Sequence, residues 1–166
     1  MGKRTVLGAE EFDLGTGNVL VAFQTAAAGS NGSNIFVTRI EIFQNGTTTL
    51  EQVRGECATR DTAGTLTMTS TTPRVYRPLG AAASGLSGNT APAGGTGRSG
   101  TNSSADSGGT YTSIFPFNFA NLNGYLFKPD PTEEIWVPPS TLFTVRLTAT
   151  PTSALDWGIS IWLDEN

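Results

Sequence analysis

The last third of the chain alternates apolar and polar residues in strict period two, and this constrains the fold more than any other feature. From 133 to 163 three short runs rich in β-branched and aromatic residues follow one another, each ended by Pro, Ser, Asp or Gly. In the middle run Phe143, Val145, Leu147 and Ala149 share a face, opposite Leu142, Thr144, Arg146 and Thr148. In the last run Trp157, Ile159, Ile161 and Leu163 lie opposite Gly158, Ser160, Trp162 and Asp164. Alternation of this kind predicts half-buried antiparallel strands, whose apolar side needs a second layer to cover it.

The preceding residues supply candidates for that layer. Val19, Val21 and Phe23 alternate with Leu20, Ala22 and Gln24. Residues 34–43 predict a strand with Phe36, Thr38, Ile40 and Ile42 on one face and Ile35, Val37, Arg39, Glu41 and Phe43 on the other. Asn45-Gly46 then reads as a hairpin turn, because both residues tolerate positive φ. Its expected partner spans residues 48–59, with Arg39 and Glu41 placed to pair with Glu51 or Arg54. Leu66 and Met68 mark a further strand, and Arg74–Arg77 between Pro73 and Pro78 an edge strand or extended crossing. Tyr111, Ser113, Phe115, Phe117 and Phe119 share one side of another strand, and residues 125–127 form a short one. Prolines 73, 78, 129, 131, 138 and 139 suit sheet edges.

No segment shows a helical period. The expected class is therefore all-β: a jelly-roll-like antiparallel β-sandwich with a long glycine-rich insert, an up-and-down barrel being the alternative. At 166 residues the chain suits one domain, residues 18–166, preceded by an arm or loosely attached strand at 1–17. Residues 80–109 are rich in Gly and Ser, with Leu86 the one large aliphatic. This composition buries too little surface to offset its ordering entropy, and fully extended the insert would span roughly 100 Å. It reads either as a surface insert or as an arm that orders against a neighbouring subunit.

Composition narrows the function. Charged residues make up 14% of the chain, against the roughly 25% usual for a soluble domain, which fits a surface packed against neighbours. Net charge is −4 and lysine occurs only at Lys3 and Lys128, so no basic patch points to nucleic acid. Histidine is absent, removing the commonest general base and metal ligand, and Cys57 has no partner for a disulfide or a zinc site. Gly95, Gly97 and Gly100 carry the letters of a dinucleotide fingerprint, but no helix follows to meet a pyrophosphate. Loop acids at Asp130, Glu133, Glu134, Asp156, Asp164 and Glu165 read as solvated, with calcium binding the alternative. We expect no enzyme and no cofactor. No apolar run reaches the length of a membrane span and none follows Lys3 and Arg4 as a secretory signal requires, so production in a cytoplasm is the expectation.

Trp136 and Trp162 fall opposite the faces assigned to the core. Tryptophans so placed bury in a subunit interface, join a second apolar layer or stack on sugars. With Arg74, Tyr76, Arg77 and Arg98 they form the candidate interface set.

Five segments together carry a resemblance: residues 39–44 leading into a polar turn, 52–60 ahead of a threonine-rich strand and the insert, 122–126, Trp136–Ser140, and Trp162–Glu165. Over about residues 34–165 the chain resembles the small β-sandwich structural proteins of tailed bacteriophages, in particular capsid cement (decoration) proteins. The resemblance implies a virion component on the capsid surface, assembled in the host cytoplasm. It implies a subunit that is often a homotrimer and bridges neighbouring major capsid proteins through loops or arms, without catalytic residues. A receptor- or carbohydrate-binding module of a tail or adhesion device is the alternative expectation.

Overall fold

The computed structural model describes residues 3–14, 18–30, 33–61, 63, 65–77, 84, 86 and 99–165. Twelve strands and one 3-10 turn account for most of them. In chain order they are β1 (Lys3–Phe12), β2 (Val19–Gln24), β3 (Ile35–Gln44), β4 (Gln52–Arg60), β5 (Thr65–Ser70), β6 (Arg74–Arg77), β7 (Ser99–Ser107) and β8 (Tyr111–Ala120). The 3-10 turn at Asn121–Asn123 follows, then β9 (Tyr125–Phe127), β10 (Ile135–Val137), β11 (Leu142–Leu147) and β12 (Trp157–Glu165).

Two antiparallel sheets face each other. Sheet A runs β10-β3-β12-β1-β6, with β9 also beside β3; sheet B runs β5-β7-β2-β11-β4-β8. Without β5, β6 and β7, the chain changes sheet at each step from β1 to β4, moves to the neighbour of β4 at β8, and changes sheet again at β9, β11 and β12. That is the jelly-roll path, with β5–β7 inserted between β4 and β8.

The core lies between the sheets. Trp157, Ile159, Ile161 and Leu163 of β12 have no exposed surface, nor do Phe23 of β2 and Phe143 and Val145 of β11. Phe23 and Phe143 approach to 5.1 Å between ring centroids. At one side of the sandwich an aromatic seam joins the sheets: Tyr125 stacks on Phe117 at 4.3 Å, and Phe119 meets the Trp157 ring edge-on at 6.3 Å. Such pairs add to area burial and fix how the layers meet.

Of the two expectations for residues 1–17, an arm or a loosely attached strand, residues 3–12 take the strand, and they are held firmly. β1 is an interior strand of sheet A, paired with β12 from Lys3↔Glu165 to Phe12↔Trp157 and with β6 on its other side. Thr5 and Leu7 are fully buried. Exposed acids at Glu10 and Glu11 masked this short inward alternation, and Glu11, at φ 54°, sits where the register slips.

The insert divides. Ser99–Ser107 is β7, an interior strand between β5 and β2. Its backbone ladder replaces the side-chain burial that its composition lacks, and Gly100 leaves no room for a Cβ beside Met68. Leu86 is fully buried in the main core and Ser84 is buried beside it. The other residues of 80–98 lie outside the described residues. The C-terminal end, expected to be solvated, is held down: buried Glu165 accepts hydrogen bonds from the hydroxyls of Thr5 (2.6 Å) and Ser84.

Asn45-Gly46 is not a hairpin. Gly46 takes φ 76°, as expected of the pair, but β3 and β4 lie in different sheets, so residues 45–51 cross the sandwich. The Asn45 N–H donates to Asp156 O at 2.9 Å, tying the turn to the approach of β12. Three bulges overturn the expected strand faces. In β2 the pairing with β11 steps from Val145↔Val21 to Arg146↔Val19, skipping Leu20, so Leu20 joins Val21 and Phe23 in the main core and Val19 turns to the outer side. In β3 the pairing steps from Trp162↔Arg39 to Leu163↔Val37, skipping Thr38, so Ile35, Val37, Ile40 and Ile42 all point inward. In β8 it skips Ile114, which turns Tyr111 to the outer side while Phe117 and Phe119 stay inside; Phe115 is 38% exposed.

If β1 is structural, Leu7→Ala will destabilise the isolated chain by about 2–5 kcal/mol in urea unfolding, as a large-to-small change in a packed core does. An effect below about 0.5 kcal/mol would return residues 3–12 to the status of an arm.

Candidate functional site

The outer face of sheet A gathers most of the candidate interface residues, and strand register shows how. One row runs Trp136↔Phe36↔Asp164↔Arg4↔Arg77 across all five strands. The next runs Arg39↔Trp162↔Val6↔Arg74. A third runs Leu126↔Glu41↔Ser160↔Gly8. Directly opposed residues share a face, so the burial that sends Ile161 and Leu163 inward sends Trp162 and Asp164 out.

Trp136 is 54% exposed at the β10 border. Trp162 is half-buried mid-sheet, with the Arg39 guanidinium 4.5 Å from its ring centroid. Arg39 also pairs with Glu41, two residues on and so on the same face of its own strand. The cross-hairpin partners expected for them, Glu51 and Arg54, belong to the other sheet's side. Arg4 lies 3.7 Å from Asp164. Arg74 is exposed opposite Val6, and Tyr76 is 49% exposed on the same strand. Arg77 holds its register opposite Arg4; Arg98 lies outside the described residues. An open groove of about 680 Å³ adjoins these rows, lined among others by Gly8, Glu10, Ser70, Thr71, Arg74 and Ser160.

Part of the outer face of sheet B, over β2, β11 and Arg60, is covered by residues whose role the sequence did not reveal, while Gln52 and Arg54 of β4 and Pro116 and Asn118 of β8 stay exposed. β7 lies beyond β2 and β8 beyond β4, so the chain from 106 to 111 passes from one side of this sheet to the other. It crosses over Arg60. The Arg60 side chain is fully buried, 2.6 Å from the Asp106 carboxylate, and donates to Asp61 O at 2.9 Å. Tyr111 donates its hydroxyl to the same carboxylate. The Arg146 guanidinium stacks 3.7 Å from the Tyr111 ring centroid and pairs with Glu56 at 2.7 Å. Gly109 is needed here because a Cβ would run into the Arg60 guanidinium. Leu66 and Met68 of β5 join Val19, Ala22 and Leu142 in a second, smaller apolar cluster. Burial first, then Asp106, pushes the Tyr111 phenol above its ordinary range, so it stays a neutral donor. Asp61, hydrogen-bonded first by the Thr110 backbone and also by that of Ala63, is held below the usual carboxylate range and closes the turn.

These groups build a latch rather than a reaction centre. Among the described residues no three His, Cys, Asp or Glu side chains converge to hold a metal ion. Burial first, and neighbouring Glu56 second, push the Cys57 thiol up to about 12. Among the described residues no helix is long and apolar enough to cross a membrane. In comparisons with protein-family models, with curated proteins and with solved structures, nothing matches this chain.

Asp106→Ala strands a buried arginine and will cost about 3–5 kcal/mol in denaturant unfolding; a loss below about 1 kcal/mol would mean that the pair behaves as a solvated one. Cys57 will resist a thiol reagent at pH 8 in the folded chain and react once denaturant is added; prompt labelling of the native protein would contradict its burial.

Proposed function

We propose that this chain is a virion structural subunit of the capsid cement type. It docks on assembled major capsid protein through the outer face of sheet A, oligomerises, with a homotrimer as the form implied by the resemblance, and performs no catalysis. The supporting observation is the pair of adjacent rows that bring Trp136, Phe36 and Trp162 into register with Arg4, Arg39 and Arg74. Exposed indole and guanidinium groups are the side chains that most often dominate protein–protein binding energy. Here they occupy a pre-formed sheet surface, so docking orders little and loses little affinity to entropy. The jelly roll recurs in capsid and lectin domains, which is analogy at the level of fold and supports both readings below equally.

The groove beside these rows favours a second reading, carbohydrate binding in an adhesion device. Hydroxyls from Ser70, Thr71 and Ser160 line it together with Glu10 and Arg74, and sugars are bound by such groups beside an aromatic ring.

Cosedimentation with shells built from the major capsid protein encoded alongside this chain separates the two. Under the cement reading wild type pellets with the shells, and Trp162→Ala combined with Arg39→Ala weakens binding roughly thirtyfold, as loss of about 2 kcal/mol at a hot spot does. No pelleting, together with selective binding on a glycan array, would replace it by the second reading.

A further inference from the structure

The two borders of sheet A carry opposite charge. One border is β6, where Arg74 and Tyr76 are exposed and Arg77 follows in register with Arg4. The other is formed by β9 and β10, which lie one after the other along β3. The loop between them carries exposed Lys128, Asp130 and Glu133 and half-buried Glu134, and is acidic on balance. On either side of it stand the exposed Leu126, at 58%, and Trp136. Among the described residues Arg74, Asp130, Glu133 and Glu134 enter no ion pair. Exposed charges of this kind cost little in water, but Arg74 at one end of the sheet and the net acidic loop at the other are free to meet a partner.

We propose that copies of this chain associate head to tail, the β6 border of one against the β9–β10 border of the next, and that the contact closes into a ring. The inference rests on the assembly reading above and names the surfaces through which subunits meet. The borders differ, so the contact is heterologous: each subunit donates one border and receives the other. Arg74 then meets Glu133 and Glu134 as a charge-assisted pair and reaches the face of Trp136, while Tyr76 packs toward Leu126. The two symmetric pairings are disfavoured, since one sets arginines against arginines and the other acids against acids. Pro129, Pro131, Pro138 and Pro139 flank β9 and β10 and interrupt any continuous backbone ladder there. The contact is therefore made by side chains rather than by extending the sheet.

Light scattering on the full chain, without shells, tests this. Wild type should elute as a discrete multiple of 17.4 kDa that dissociates as salt rises. Arg74→Glu alone, and Glu133→Lys with Glu134→Lys, should each weaken association at least tenfold, and all three changes in one chain should restore it. Both borders are exposed, so an unchanged unfolding midpoint confirms that each variant is folded. A strictly monomeric wild type, or a multimer indifferent to both reversals, would overturn the proposal. So would dissociation of the reversed variants without rescue in the combined one. The outcomes separate from those of the docking reading: a monomer that still pellets with shells sinks only the ring, and a ring that ignores shells sinks only the docking.

Discussion

The structure depends on the complete burial of one side of β12. Its four inward side chains, Trp157, Ile159, Ile161 and Leu163, have no solvent exposure, each contributing about 1.5–3 kcal/mol relative to exposure. The strand is paired on both edges, with β3 and with β1, so it cannot slip by one residue without turning its whole apolar row to water. Trp157 is further pinned by its indole N–H, which donates to Ser153 O at 3.1 Å. The same register fixes the opposite side. With Ile161 inside, Trp162 must stand outside between Arg39 and Val6, so the core and the proposed docking surface are two consequences of one alternation.

Legibility in the sequence followed the continuity of that alternation. β11 and β12 hold no extra residue over 142–147 and 157–162, the slips beside them falling in β2 and β1, and their faces were readable from residues alone. β3 and β8 each hold one extra residue, Thr38 and Ile114, and beyond it every face inverts; nothing in composition announces such a bulge. β1 and β7 escaped for another reason. Each is an interior strand with few large apolar side chains, stabilised by ladders to both neighbours, and a backbone ladder leaves little trace in hydropathy. Of the Asn45-Gly46 pair only Gly46 takes positive φ, and the pair was wrongly read as a hairpin, because local turn chemistry does not say which sheet the chain enters next.

For the candidate surface, outward placement of Trp136 and Trp162 was visible as period two. Their assembly into rows with Phe36, Arg4, Arg39 and Arg74 was not, since it requires the strand order β10-β3-β12-β1-β6. Nor was the Arg60–Asp106–Tyr111 latch, which joins residues far apart in sequence. Its consequence is an asymmetry between the two faces. The crossing chain and the β5–β7 insertion cover the part of sheet B over β2, β11 and Arg60 with their own apolar cluster and buried ion pair. The outside of sheet A keeps its indoles and guanidinium groups open. The insertion thus works for the fold on one side and leaves the other side open.

Hydroxyl-radical footprinting of the isolated chain and of the chain bound in its assembly probes that asymmetry directly. In isolation Trp136 and Tyr76 should be labelled and Trp157 spared. On assembly Trp136, Phe36 and Trp162 should lose reactivity together while Ile114 and Phe115, on the β8 border of sheet B, keep theirs. Protection confined to Ile114 and Phe115, with the sheet A aromatics unchanged, would place the contact on the wrong sheet and contradict the account.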